Sequence, residues 1–412
     1  LSTTYKVVAG DTFSLIARKE YGAEDNADLI ARANPGLLEP LTPGISIIIP
    51  LLPTAPKDLI QQADSDNIDE VAILIDKNRF RFWSNIRITR AIDSMDTVSF
   101  LAPFQSDMPG FRTAFRPFEY KDVDITVGGQ SLFTGTMVAV DPDIENDRRT
   151  IAVNSYALPG VLNDCMVPAS MSDKLEFKGQ GLQEIATTLV APFGLSVEFR
   201  DDQGAIFGQV ATKSNKTILS FLIDLAKQRN LIISSTPRGA LLFWKSVELG
   251  TPVARLQQGE SPVLSISAKF NPQGYYSHIT GMEPTSVGLS GSQFTVKNPR
   301  LEGVIRPFTF KLKDTKTADV KTGVEAKAGR MFANTAAYSI VVDTWRDPAG
   351  NLWEPNTTIT LIAPDAMIYN DYEFIVRSVE FNRDRDSETA ILDLVIPGSF
   401  SGQIPELLPW DE

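Results

Sequence analysis

Apolar and polar positions follow three successive rhythms along this chain. Over the first fifty residues the order is strand, helix, helix, strand. Tyr5-Lys6-Val7-Val8 predicts a short strand, and Ala9-Gly10-Asp11-Thr12 a turn whose last residues are good helix N-caps. Phe13, Ile16, Ala17 and Tyr21 then fall on one helical face, and Gly22 ends the helix. Asp25 or Asn26 can cap a second helix with Leu29, Ile30 and Ala33 inward, closed by Asn34-Pro35-Gly36. Leu41-Thr42-Pro43-Gly44 reads as a turn before a last strand over 45–49.

After a proline-punctuated and then acidic linker, 53–70, the period changes to two. Val71-Ala72-Ile73-Leu74-Ile75 is a strand. Ile86 and Ile88 alternate with Arg87 and Thr89, and Val123, Ile125 and Val127 alternate with Asp122, Asp124 and Thr126. Gly128-Gly129 supplies a hairpin turn that needs positive φ. Repeated short strands joined by tight turns imply a small barrel or sandwich over 71–178. Residues 179–250 have helical periodicity, with Leu182, Ile185, Ala186 and Leu189 on one face and Ile218, Phe221, Leu222 and Leu225 on another. This predicts a compact α+β insert. Strands resume over 251–398 (263–268, 275–281, 338–344, 358–362, 373–381 and 389–396), interrupted by an amphipathic helix near 317–337, and a loose tail occupies 399–412. The predicted fold is α+β, mainly β: a small βααβ domain over 1–52, then two β-barrel-like domains separated by the insert.

A chain of 412 residues fits two to four domains. Its formal net charge of −12 argues against a protein that grips nucleic-acid phosphates, which needs basic patches. The longest apolar runs are strand-sized, so no membrane insertion is expected, and no signal peptide is visible. Cys165 stands alone, which excludes an internal disulfide and fits assembly in a reducing host cytoplasm.

Catalytic chemistry finds little support. The one histidine, His278, lies in a β pattern and has no nucleophile motif beside it. A Cys165–His278 dyad lacks the local setting of a cysteine peptidase. The run from Asp141 to Asp147 resembles a calcium loop only until Asn146, where that loop needs glycine, and Ala152, where it needs glutamate. Gly128-Gly129 and Gly179-Gln180-Gly181 lack the context of phosphate loops. The tryptophans at 83, 244, 345, 353 and 410 read better as core or interface anchors than as sugar platforms. No catalytic residue, metal site or cofactor is assigned, and the chain is not read as an enzyme.

Two resemblances sharpen this picture. Tyr-Lys-Val-Val-Ala-Gly-Asp-Thr at 5–12, Ile16-Ala17, Ala33-Asn34-Pro35 and the Leu41 to Gly44 turn with Ile48-Ile49-Pro50 resemble a LysM domain, departing at Phe13, where leucine is more usual. That resemblance implies a glycan-binding groove, or a docking surface, flanked by Gly10, Asp11, Thr12, Phe13, Leu41, Thr42, Pro43 and Gly44. In an enclosed assembly the docking reading is favoured over peptidoglycan.

Over 71–398 the chain resembles the baseplate hub family of contractile phage tails in its Mu-like form. The resemblance is carried by Ile86-Arg87-Ile88-Thr89-Arg90-Ala91-Ile92-Asp93, Asp124 to Gln130, Ala226 to Leu231, and above all Val342-Asp343-Thr344-Trp345-Arg346-Asp347-Pro348 with Leu352-Trp353-Glu354-Pro355-Asn356. It implies a homotrimer in the virion tail baseplate, in which two similar lobes per chain make three copies imitate six. The ring would adapt a sixfold tail tube protein to a threefold central spike protein, with baseplate wedge proteins around it. No specific nucleic-acid binding is expected; an acidic lumen would let DNA pass without adhering. The alternative is a LysM-targeted peptidoglycan hydrolase or another cell-wall-binding tail protein. A third reading, a type VI secretion spike component, shares the hub ancestry and would need a C-terminal β-helix.

Overall fold

A computed structural model describes residues 2–21, 27–34, 36, 37, 39–50, 68–146, 148–168, 171, 175–212, 215–247, 249–283, 292–312, 320–400 and 407–411. The chain divides into two units, Leu1–Asn67 and Ile68–Glu412. In the first, strand β1 (Ser2–Lys6) pairs antiparallel with β2 (Ser46–Pro50), and helices α1 (Phe13–Tyr21) and α2 (Ala27–Ala33) lie between them in sequence. The helical spacing of Phe13, Ile16 and Ala17 puts them in one core with Val7, Ile30, Leu41, Ile47 and Ile49. Asn34 closes α2 by bonding across to β2: its Nδ2 donates to Ile30 O (2.8 Å) and Ile48 O (2.7 Å), and its Oδ1 accepts from Ile48 N (2.7 Å). Gly22, the caps at 25 and 26, Pro35 and most of the expected linker lie outside the described residues.

In the second unit a first lobe contains β3 (Val71–Ile75), β4 (Asn78–Phe80), β5 (Asn85–Ala91), β6 (Thr97–Pro103), α3 (Pro109–Ala114), β7 (Asp122–Val127), β8 (Gln130–Ile144) and β9 (Arg149–Ala157). The insert follows with α4 (Val161–Asp164), β10 (Glu176–Gln180), α5 (Leu182–Val190), β11 (Val197–Phe199), β12 (Phe207–Ala211), α6 (Ile218–Gln228), β13 (Ile232–Ser235) and β14 (Leu241–Trp244). Its helices bury the faces read from their periodicity in a separate core. Thr217 caps α6 by accepting from Ser220 N (3.3 Å).

The second lobe contains β15 (Ala254–Gln257), β16 (Val263–Phe270), β17 (His278–Met282), β18 (Gln293–Lys297), β19 (Pro307–Lys311), α7 (Val320–Ala333), β20 (Ala336–Val342), β21 (Thr358–Ala363), β22 (Ile368–Arg383) and β23 (Glu388–Val395). Helix α7 stops at Ala333, short of the expected 337. Asn334 Nδ2 bonds back to Arg330 O (3.2 Å) and Thr335 Oγ1 to Phe332 O (2.7 Å), which satisfies the terminal carbonyls and frees Ala336 to start β20.

The lobes share one plan. The first orders its strands β5-β6-β9-β8-β7-β3-β4, and the second β16-β20-β23-β22-β21-β15. With the short β4 set aside, each lobe's strands ranked along the chain run 2-3-6-5-4-1. Neighbours are antiparallel throughout, except that β15 runs parallel to β21 where β3 runs antiparallel to β7. The fifth strand is the longest in each lobe, 15 residues in β8 and 16 in β22. Each is bulged against the sixth strand, between Met137 and Ala139 and between Val376 and Ser378. Where the first lobe turns at 92–96, the second inserts 271–335, a three-stranded sheet β18-β17-β19 backed by α7.

The barrel-like expectation takes a more open form. The lobes join into one 13-stranded sheet, because β22 continues past β21 and pairs with β5, from Ser378 opposite Ala91 to Arg383 opposite Ile86. Among the described residues this sheet does not close; its free ends are β4, β15 and β16.

Candidate assembly surfaces

In the N-terminal unit the eight candidate residues lie on two loops and, for Phe13, at the first residue of α1, and the polypeptide brings the loops together. Gly44 N–H bonds to Val7 O (2.8 Å), a conformation that Gly44 reaches at φ +91. Phe13 N–H bonds to the carboxylate of Glu39. Phe13 and Leu41 are core residues. Asp11 is buried as well: its carboxylate accepts from Lys19 Nζ (2.7 Å), Val8 N (2.8 Å) and Tyr5 OH (2.9 Å). The Lys19 hydrogen bond, followed by that from Val8, holds its pKa below the usual carboxylate range. Thr12 caps α1 by accepting from Leu15 N (3.2 Å). That leaves Gly10, Thr42, Pro43 and Gly44 exposed, a surface made largely of backbone.

In the second unit, the segment that carried the hub resemblance is structural. Trp345 and Trp353 are both 1% exposed. Trp345 Nε1 donates to Thr389 O (2.9 Å) and Asn382 O (3.2 Å), and Trp353 Nε1 to Thr344 O (3.0 Å). Arg346 reaches Asp69 (2.9 Å) and so fastens the start of the unit. Asn356 accepts from Val247 N (2.8 Å) and donates to Lys245 O (3.0 Å), pinning the end of the insert. In the same stretch, Trp244 Nε1 donates to Ile92 O (3.0 Å). The tryptophans thus hold strands and insert together, as core anchors do.

The titratable groups are dispersed. His278 is exposed, with Nδ1 3.0 Å from Ser277 Oγ. Cys165 is half-buried after α4, and among the described residues no hydrogen bond joins it to His278. In the acidic turn, Asp143 and Glu145 pair with Arg148 at 3.4 and 3.2 Å. No group of three or more His, Cys, Asp and Glu among the described residues could hold a metal ion. A strongly perturbed carboxyl is Asp96, pushed up to about 6 by burial and only partly offset by Arg90 at 3.4 Å. Its N–H donates to Ser235 Oγ (2.9 Å), which joins the 92–96 turn to the insert.

What the sheet leaves uncovered is a better candidate than any of these. β16 pairs with β20 along one side, and among the described residues no strand pairs with the other. Leu264 and Phe270 on it are 58% and 42% exposed. A groove of about 480 Å³ runs beside them, bounded across by Asp365, Ala366 and Met367. The far half of β8, beyond its pairing with β7, carries β9 on one side and, among the described residues, no strand on the other, with Val138 40% and Ile144 58% exposed. Unpaired strand edges are templates for further strands.

Residues 159–245 match the family described as Baseplate hub protein gp44-like, second domain. They hold α4 to α6 and β10 to β14, the insert between the lobes. The chain is 22% identical over 309 residues to baseplate hub protein gp44 of Escherichia phage Mu, covering 71% of this chain and 79% of that protein. Among solved structures it is similar to the 43 kDa tail protein of prophage MuSo2 from Shewanella oneidensis, with TM-score 0.69, 21% identity, and coverage of 80% of this chain and 99% of that one. It is also similar to a tail protein from Neisseria meningitidis MC58, with TM-score 0.67, 19% identity, and coverage of 80% and 97%. At such identities these structures share the fold. Sequence reading missed both open edges, although the unbroken alternation of apolar and polar residues from Leu264 to Phe270 was a signal for one of them.

Proposed function

We infer that this chain is a structural hub protein of a phage-type tail baseplate. It is a virion component, and its work is mechanical. The match of the insert to the hub family, within a chain similar along most of its length to the Mu hub protein, carries the assignment. The finer reading is a homotrimeric ring, non-enzymatic, that adapts a sixfold tail tube to a threefold spike and meets wedge proteins at its rim. The common strand order of the two lobes supports it, since two like lobes in each of three chains offer six like positions. Each lobe is the barrel-like unit of that ring, left open where a neighbour sits. An acidic lumen, motivated by the −12 charge, would let DNA pass. The N-terminal unit is read as a LysM-like docking module, because Asp11, Phe13 and Leu41 are committed to its interior.

Sedimentation of the purified chain tests the ring. The expected mass is three times the 45.3 kDa of one chain, and electron micrographs should contain rings with six lobes. A single-chain mass at all concentrations would refute the trimer.

A further inference from the structure

We propose that the open edge of β16 in one copy pairs antiparallel with the far half of β8 in the next, repeating between chains the β22–β5 join made within each chain. The inference rests on the trimeric ring proposed above and names the contact that closes it.

The internal repeat supplies the register. Aligning the two bulges places Val138 on Arg377, and therefore residues 139–144 on 378–383. Following the pairings through β9 and β6, and through β23 and β20, places 266–270 on 86–90. Within the chain, 378–383 pair with 86–91. Their counterparts, 139–144 and 266–270, have no strand partner on the corresponding sides among the described residues. Burial separates the two cases. Val379, Phe381, Ile86 and Ile88 are fully buried, whereas Pro142 is exposed and Val140, Ile266 and Ala268 are only half-buried. The join that is complete once in the chain is therefore half-made at each of two distant strands.

The transferred register is chemically matched. It sets Ile144 opposite Ile266, Val140 opposite Phe270, and Asp141 opposite Lys269, two apolar pairs and one pair of opposite charge. One step is weaker. Glu145 N–H turns inward to Arg148 O (2.7 Å), so Pro142 occupies an outward position without an N–H to give, and that step carries one bond instead of two. A proline there also limits indiscriminate pairing of the edge before assembly. Because the two surfaces differ, the contact is head-to-tail, the kind that closes rings.

The test uses the full chain. Asp141→Lys and Lys269→Asp should each raise the dissociation constant of the trimer by about tenfold or more, roughly 1.4 kcal/mol, and the double variant should recover most of the loss. In a Cys165→Ser background, Asp141→Cys together with Lys269→Cys should give covalently linked chains on oxidation, and neither cysteine alone should do so. If a mass of three chains persists unchanged in both single variants and no cross-link forms, this pairing is wrong and the ring closes elsewhere. If the unaltered chain has the mass of one chain throughout, the ring falls, and this pairing with it.

Discussion

At the scale of single residues, polar groups removed from water in the second unit tie strands and loops to one another. Asp96 is the clearest case, since its carboxyl meets Arg90 and its N–H meets Ser235. Burial lifts its folded pKa to about 6 from 3.8. The folded state therefore takes up this proton before the unfolded state does, and the ionised carboxylate costs stability on the order of 3 kcal/mol at most above pH 6. That cost falls as pH drops through 6 towards 4. Asp96→Asn removes the titration, so urea midpoints for both proteins at pH 7.5 and 5 provide the measurement. The difference should move in favour of the unaltered chain at the lower pH; a constant difference would mean that Asp96 is ionised throughout. The sequence marked Trp345 and Trp353 as anchors because a large ring with one donor needs a buried acceptor. It gave no sign of which carbonyls would accept, since Thr389 lies 44 residues from Trp345.

Elements were legible where one periodicity ran long enough to dominate. The helices α5 and α6 and the β7–β8 hairpin with its two positive-φ glycines stand where the pattern put them. Boundaries failed where a side chain, not the pattern, ends the element, as Asn334 and Thr335 do after α7. Packing between elements left a subtler trace at Gly281, in the central strand of the sheet that backs onto α7. A Cβ there would collide with the Val324 side chain and crowd the Phe310 ring. Gly281→Ala should cost about 1–3 kcal/mol through overpacking. Gly110→Ala, where added volume meets open space in a short helix, should leave stability unchanged or slightly higher. Chemical denaturation of the two variants side by side checks the contrast, and equal effects would show that Val324 simply yields.

For the whole molecule, the repeat was invisible as sequence because its halves share strand order and bulges while their residues diverge: Phe381 answers to Pro142, and Arg90 to Phe270. Those differences follow position in the sheet. Counterparts are buried where the chain covers them itself and exposed where it does not. The N-terminal unit poses the remaining choice between docking and glycan binding. Of its eight candidate residues only Gly10, Thr42, Pro43 and Gly44 are exposed, and they offer one hydroxyl and no charge. Such a surface can meet a sugar chiefly through backbone groups, and a protein partner by shape. Incubated with purified murein and spun down, the full chain should stay in the supernatant to the same extent as a chain starting at Ile68. Retention of the full chain alone would assign these loops to glycan, and release of soluble fragments would revive the hydrolase reading. A protein enclosed by its neighbours gains nothing from holding the wall, whereas one exposed at the tail tip would, so the outcome also reports where in the particle this unit sits.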